Sequence, residues 1–266
     1  MIAGTTRLVG LIRDPLAQSL SPPMQNAAFA ARGLDWAYVP LPVHPHDLEQ
    51  AVAGLVALGF VGANVTIPHK TGVLSYCDEL DPVAERAGSV NTLVIRDGRV
   101  LGSSTDGLAV VSSVEPEGAH VLMLGAGGAA QAVACALAEA GAASVAVAGR
   151  NPERAGGLAA RLRAQYPDVG VETRRSWPPE VGAADLVVQA TSVKDEPLVT
   201  LEPHHQAVDM GYRVDGDTAF LAGAQAAGCR RIVGGRELLV RQGAASFERW
   251  TGIEAPLDVM RAAVGL

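Results

Sequence analysis

The apolar run Val-Leu-Met-Leu at 121–124, followed at once by Gly125-Ala126-Gly127-Gly128-Ala129-Ala130, constrains this chain more than any other stretch. It fits G-x-G-x-x-A set between a strand and an Ala-, Val- and Leu-rich helical pattern that continues to Ala140. Gly125 permits a tight turn, Gly127 lets backbone approach a pyrophosphate, and small Ala130 lets helix and strand pack closely. The helix start then presents unpaired N–H groups and the positive end of its dipole to phosphate. A glycine-rich turn alone is a weak signal, but this placement makes it a dinucleotide-binding βαβ unit.

The next strand, Ser144–Ala148, ends in Gly149-Arg150-Asn151. NAD-binding chains carry a carboxylate near this point to accept from the ribose 2′-hydroxyl. Here Arg150 stands instead, a planar permanent cation suited to a 2′-phosphate, with Arg154 one helical turn on. The expected cofactor is therefore NADP.

Elsewhere β-branched runs alternate with Ala-rich stretches, the pattern of an α/β fold with parallel sheet. Segments 8–12, 36–41 and 62–66 read as strands, and 22–32 and 46–58 as helices. The pair 93–95 and 100–102 flanks Asp97-Gly98, a hairpin signal. Strands at 171–173, 185–189 and 207–209 extend the second half, and 237–250 reads as a long helix broken only by Gly243. The expectation is two domains. Residues 1–106 with about 237–266 form an α/β substrate domain, 107–236 a Rossmann-type domain, and the reaction lies in the cleft between them.

Composition narrows the function classes. Hydrophobic residues at 48% and charged residues at 18% exclude disorder. A formal net charge of −7 without a basic stripe argues against nucleic acid. No long apolar run suggests a membrane span, and the early charge at Arg7 does not suit a secretory signal. Cys77, Cys135 and Cys229 are scattered, as in a cytoplasmic protein with reduced thiols. The histidines, including His44, His46, His204 and His205, lack metal-ligand spacing, so no metal is expected.

Four polar clusters punctuate the apolar strands: Gln18-Ser19-Leu20-Ser21-Pro22, Asn64-Val65-Thr66-Ile67-Pro68-His69-Lys70, Gly88-Ser89-Val90-Asn91-Thr92 and Ser104-Thr105-Asp106-Gly107. Singly, each is ordinary cap and turn chemistry; Ser21-Pro22 suits a helix start and Asp106-Gly107 a turn. Together they offer hydroxyls, amides, one amine and one carboxylate, which suits an anionic ligand with many hydroxyls.

In order and spacing, Ser-x-Ser-Pro, N-V-T-x-P-x-K, G-x-V-N-T, T-D-G and G-A-G-G-A resemble the shikimate dehydrogenase family over essentially the whole chain. Asp209-Met210-x-Tyr212 and the stretch from Gly235 to Gln242 resemble its later segments. The resemblance implies NADP-dependent, reversible reduction of 3-dehydroshikimate to shikimate. Lys70 and Asp106 would be the catalytic pair. Ser19 and Ser21 would hold the substrate carboxylate with Tyr212 nearby, and Asn64, Thr66, Asn91, Asp106 and Gln242 the ring hydroxyls. Gly125, Ala126, Gly127, Gly128, Ala129, Arg150, Thr191, Ser192 and Gly235 would meet the cofactor. The implied partner is a small ring hydroxy acid, with no nucleic acid or membrane, and the chain would be a monomer or homodimer.

The match departs at several points. Gln18 stands where many relatives have His, Ser104 for Asn, Gly149 and Asn151 for Asn and Thr around the phosphate-binding arginine, and Glu237-Leu238 for Gly-Met. These changes leave open a divergent relative acting on quinate or aminoshikimate, with NADP or NAD, although Ser21 in place of Thr leans towards shikimate. Methylenetetrahydrofolate dehydrogenase shares the two-domain plan and a lysine but lacks the Ser-x-Ser and T-D-G pairing. A non-catalytic NADP-binding regulator is the non-enzyme alternative, against which the retained Lys70 and Asp106 argue.

Overall fold

The computed structural model describes residues 2–15 and 19–266, so Gln18 lies outside the described residues. The chain divides into two units, Met1–Thr105 with Leu239–Leu266, and Asp106–Leu238.

The first unit opens with β1 (Arg7–Arg13), α1 (Ser21–Ala31), β2 (Trp36–Pro42), α2 (Leu48–Ala57) and β3 (Gly62–Val65). It continues with β4 (Glu79–Leu80), α3 (Pro82–Ala87), β5 (Thr92–Arg96) and β6 (Arg99–Ser103). Pro22 and Pro23 fall in the first turn of α1, where a missing N–H costs nothing. The cap position is Leu20, without a side-chain cap, so Ser21 begins the helix rather than capping it. The six strands run in the order β2-β1-β3-β5-β6-β4. This sheet is not the parallel one the alternation suggests, because β5 is antiparallel to both β3 and β6. The reversal follows from the hairpin at Asp97 and Gly98. Both take the left-handed backbone, with φ of 51° and 76°, that a tight two-residue turn requires.

The second unit contains α4 (Asp106–Val111), β7 (His120–Leu124), α5 (Gly128–Glu139), β8 (Ser144–Ala148), α6 (Pro152–Gln165) and β9 (Gly170–Thr173). Then come β10 (Leu186–Gln189), β11 (Gln206–Asp209), α7 (Ala219–Ala226) and β12 (Arg231–Val233). Its sheet is parallel throughout, in the order β12-β11-β10-β7-β8-β9. Strand order reverses direction at β7, and ligands of open α/β sheets bind beyond the strand carboxyl ends at such a point. Asp106-Gly107 does not make a turn here. It starts α4, and a Cβ on Gly107 would lie 2.7 Å from the Ala132 carbonyl oxygen of α5, so glycine permits the two helices to touch.

The last helices, α8 (Gly235–Thr251) and α9 (Leu257–Ala263), return the chain to the first unit from Leu239 onward. They complete a core in which Phe29 stacks on Phe247 at 5.4 Å between ring centroids, beside buried Met24, Met260 and Trp250. Gly243 lies where α8 meets α1. A Cβ there would sit 2.4 Å from the Met24 methyl, and the Gln25 side-chain amide donates to the Gly243 carbonyl at 2.9 Å. Among the described residues no helix is long and apolar enough to cross a membrane, and no group of three or more His, Cys, Asp or Glu is placed to hold a metal.

Candidate active site

In the first unit, β3, the β5–β6 strands and α8 bring three of the expected ring-binding amides into one buried network. The Asn64 amide nitrogen donates to the Asn91 carbonyl (3.1 Å), Thr92 Oγ1 (3.2 Å) and Ser246 Oγ (3.0 Å). Its oxygen accepts from the Tyr38 hydroxyl at 2.9 Å. Asn91 donates to Thr105 Oγ1 (2.8 Å) and Gln242 Oε1 (3.3 Å), and its Oδ1 accepts from the Thr105 backbone N–H at 2.9 Å. Thr105 in turn reaches the Gln242 carbonyl at 3.1 Å. The residue preceding Asp106 is thus pinned to both Asn91 and α8.

Backbone bonds set the neighbouring segments. Val65 donates to the Asn91 carbonyl and Val90 to the Lys70 carbonyl, both at 2.8 Å, which ties the N-V-T-x-P-x-K stretch alongside G-x-V-N-T. Thr66 and Lys70 are half-buried. Between them, His69 is buried with Nε2 2.8 Å from the Val43 carbonyl oxygen, and desolvation holds its pKa below the usual histidine range. Ser19 is half-buried, and its Oγ accepts from the Ser21 N–H at 3.2 Å, while Ser21 itself is buried at the start of α1.

In the second unit, Gly125 takes φ of 119°, and a Cβ there would sit 2.8 Å from the Ala190 carbonyl oxygen, so a side chain is excluded twice over. Its N–H donates to the Ala148 carbonyl at 2.7 Å. The loops after β7, β8 and β10 therefore meet at the switch point. Gly127 is the N-cap of α5 with no side-chain cap, and a Cβ there would meet nothing within 4 Å. Open space above uncapped N–H groups fits a pyrophosphate. Arg150 is exposed after β8, one residue before Asn151, whose side chain caps α6 by accepting from the Arg154 N–H at 3.0 Å. These residues fit a 2′-phosphorylated dinucleotide. Ala126, Gly128 and Ala129 line the same turn, and Thr191 and Ser192 follow β10 with Thr191 Oγ1 accepting from Val193 N–H at 3.1 Å.

Beyond β11, Asp209 is fully buried. Its carboxylate accepts from the Gly211 N–H at 2.8 Å and from the Thr218 hydroxyl. Burial nevertheless pushes its pKa up to about 6. The turn it anchors carries Tyr212, half-buried under the Lys194 amine at 5.7 Å from the ring centroid. Gly235 packs on that turn, since a Cβ would lie 2.2 Å from the Gly211 carbonyl oxygen.

Tyr38 and Ser246 lie outside the sequence motifs, and Thr92, Thr105 and Asp209 lie inside them without a role of their own. One signal was readable: Ser246 follows Gln242 by four residues on a helical pattern, hence on the same face.

Three family models match the chain: the shikimate dehydrogenase substrate binding domain over 11–93, shikimate / quinate 5-dehydrogenase over 109–213, and the shikimate 5′-dehydrogenase C-terminal domain over 235–264. The shikimate dehydrogenase (NADP(+)) of Moorella thermoacetica is 44% identical, covering 97% of this chain and 92% of that protein. A crystal structure of a shikimate dehydrogenase in complex with NADP+ is 34% identical, covers 99% of this chain and 96% of its own, and superposes with a TM-score of 0.89. The Thermus thermophilus enzyme in complex with NADP(H) and shikimate is 32% identical over 97% of this chain and 98% of its own, with a TM-score of 0.85. Matched along nearly its full length in both sequence and fold, the chain belongs to the shikimate dehydrogenase family.

Proposed function

We propose that this protein is an oxidoreductase that reversibly reduces 3-dehydroshikimate to shikimate with NADP(H). The observation that carries the reading is the buried amide and hydroxyl network around Asn91, Thr105 and Gln242, in a chain 44% identical over 97% of its length to an NADP(+)-dependent shikimate dehydrogenase. Such a network suits a ring bearing several hydroxyls, because its amides and hydroxyls can exchange hydrogen bonds with them.

NADPH, when bound, supplies a hydride to the ring carbonyl carbon. The Lys70 ammonium gives a proton to the carbonyl oxygen, having stabilised the negative charge that develops there. The Asp106 carboxylate accepts from a ring hydroxyl and balances the lysine charge. Ser19 and Ser21 donate to the substrate carboxylate with Tyr212 assisting, and Thr66, Asn91 and Gln242 hold the remaining hydroxyls. The uncapped turn from Gly125 to Ala129 takes the pyrophosphate, Arg150 the 2′-phosphate, and Thr191, Ser192 and Gly235 the nicotinamide end. Oxidation of shikimate runs the same steps backwards and releases a proton, so it favours alkaline pH. The substrate domain is residues 1–106 with about 237–266, and 107–236 holds the dinucleotide. The three free cysteines fit a reducing cytoplasm, with the chain as a monomer or homodimer acting on a small molecule.

The test is steady-state NADP+ reduction with shikimate, run beside quinate and repeated with NAD+. Turnover of shikimate with NADP+ supports the reading. Turnover of quinate alone, or with NAD+ alone, replaces the substrate or the cofactor, and no turnover despite NADP+ binding removes the enzyme assignment.

A further inference from the structure

The buried network contains more residues than the ring needs. Asn64 is only 5% exposed, and Thr92 and Ser246 are fully buried. Both amide hydrogens of Asn64 are taken up by three protein acceptors, and its oxygen is met by Tyr38. This residue has no donor left to offer a ring hydroxyl.

The orientation of each amide is decided by a backbone group that can act in one sense only. The Asn91 carbonyl can only accept, so it fixes which end of the Asn64 amide faces β5. The Thr105 N–H can only donate, so Asn91 must turn its oxygen towards it and its nitrogen towards Gln242. The Leu239 carbonyl, 2.8 Å from Gln242 Nε2, can only accept, and this leaves Gln242 Oε1 facing Asn91. Thr92 bonds the Asn91 amide, and Ser246 stands behind Thr92, bonded to the main chain of α8. Thr92 Oγ1 donates to Asn91 Oδ1 at 3.0 Å and lies 2.8 Å from Ser246 Oγ, which donates to the Gln242 carbonyl at 3.0 Å.

We infer that Thr92, with Ser246 and Asn64 behind it, is a positioning residue that holds the Asn91 amide in place before the ring acid arrives. The inference rests on the proposed function. Preformed donors and acceptors lower the cost of ordering groups on binding, so the effect of losing them falls on the ring substrate. The partners named here all belong to the first unit, so the effect is expected on the ring acid rather than on the cofactor.

The experiment compares wild type, Ser246→Ala, Thr92→Val and a control, Thr251→Val. Thr251 lies on the same helix, and its hydroxyl bonds the Phe247 carbonyl at 2.8 Å, outside the network. KM for shikimate is expected to rise about five- to tenfold in the first two variants, with KM for NADP+ within about twofold of wild type. The control loses stability only. In an Asn91→Ala background, Ser246→Ala should add less than about twofold to KM, since the residue it positions is gone. A lower melting temperature with unchanged shikimate KM in Ser246→Ala and Thr92→Val overturns the inference and leaves them structural. The full KM effect persisting without Asn91 also overturns it. A wild type with no shikimate turnover refutes the proposed function itself, and this inference with it.

Discussion

Asp209 links stability to pH in a way that one substitution isolates. It is fully buried at the end of β11, and desolvation outweighs the hydrogen bonds from Thr218 and Gly211 and the charge of Lys194. The carboxyl therefore titrates at about 6 in the folded chain, against 3.8 in an open one. Between those values the native state holds a proton that the unfolded state has released. Stability from this group is thus fully present below pH 4 and is lost as pH rises through 6. At 1.36 kcal/mol per pKa unit the whole span is worth about 3 kcal/mol, of which about 1 kcal/mol falls between pH 5 and pH 7. Asp209→Asn removes the titration and leaves the Thr218 hydroxyl a neutral acceptor at every pH. We predict that wild type gains about 1 kcal/mol over Asp209→Asn when the pH is lowered from 7 to 5. Buried His69 and His205, held low by desolvation, lose stability over the same range, but they do so in both proteins and cancel. The assay is calorimetric unfolding of the two proteins at both pH values, following the transition of the unit that contains residue 209. A difference between them that does not change with pH would refute the argument.

Other outcomes follow from the same geometry. Lys70→Ala should lower turnover by about 10²- to 10⁴-fold, while NADP+ binding measured by calorimetry stays within about twofold; a small loss of rate would remove Lys70 as the proton donor. Arg150→Ala should weaken NADP+ by about tenfold or more and leave NAD+ affinity unchanged, because only the 2′-phosphate loses a partner; equal losses for both nucleotides would place the arginine elsewhere. Gly62→Ala should destabilise the first unit by about 2 to 4 kcal/mol on thermal unfolding. The added Cβ would lie 2.6 Å from Trp250 Nε1, which donates to the Leu93 carbonyl at 2.8 Å, and would collide with that carbonyl as well. A fully stable variant would mean that β3, β5 and α8 can separate at no cost.

Much of the nucleotide half was legible in the sequence because each signal there is local. A strand, a glycine turn and a helix occupy adjacent residues at 121–140, and the steric demand on Gly125 arises mainly from its own backbone angle. The Asp97-Gly98 hairpin is legible for the same reason. Short elements such as β4, α3, α4 and β12 leave no periodic trace, since two to six residues cannot display a period. The antiparallel course of β5 was implied by the hairpin but hidden by the apolar run, which reads alike in either direction.

By itself the sequence determined the α/β class, the glycine turn, the arginine in place of a carboxylate after the second strand of that unit, and the set of polar motifs. Only the tertiary structure decided which of those polar residues bond one another. Asn64 and Asn91 are both drawn into one network, Asn64 by Tyr38, Thr92, Ser246 and a backbone carbonyl, and Asn91 by Thr92, Thr105 and Gln242. Hydrogen-bond saturation depends on partners up to 182 residues apart, and no local pattern carries that information.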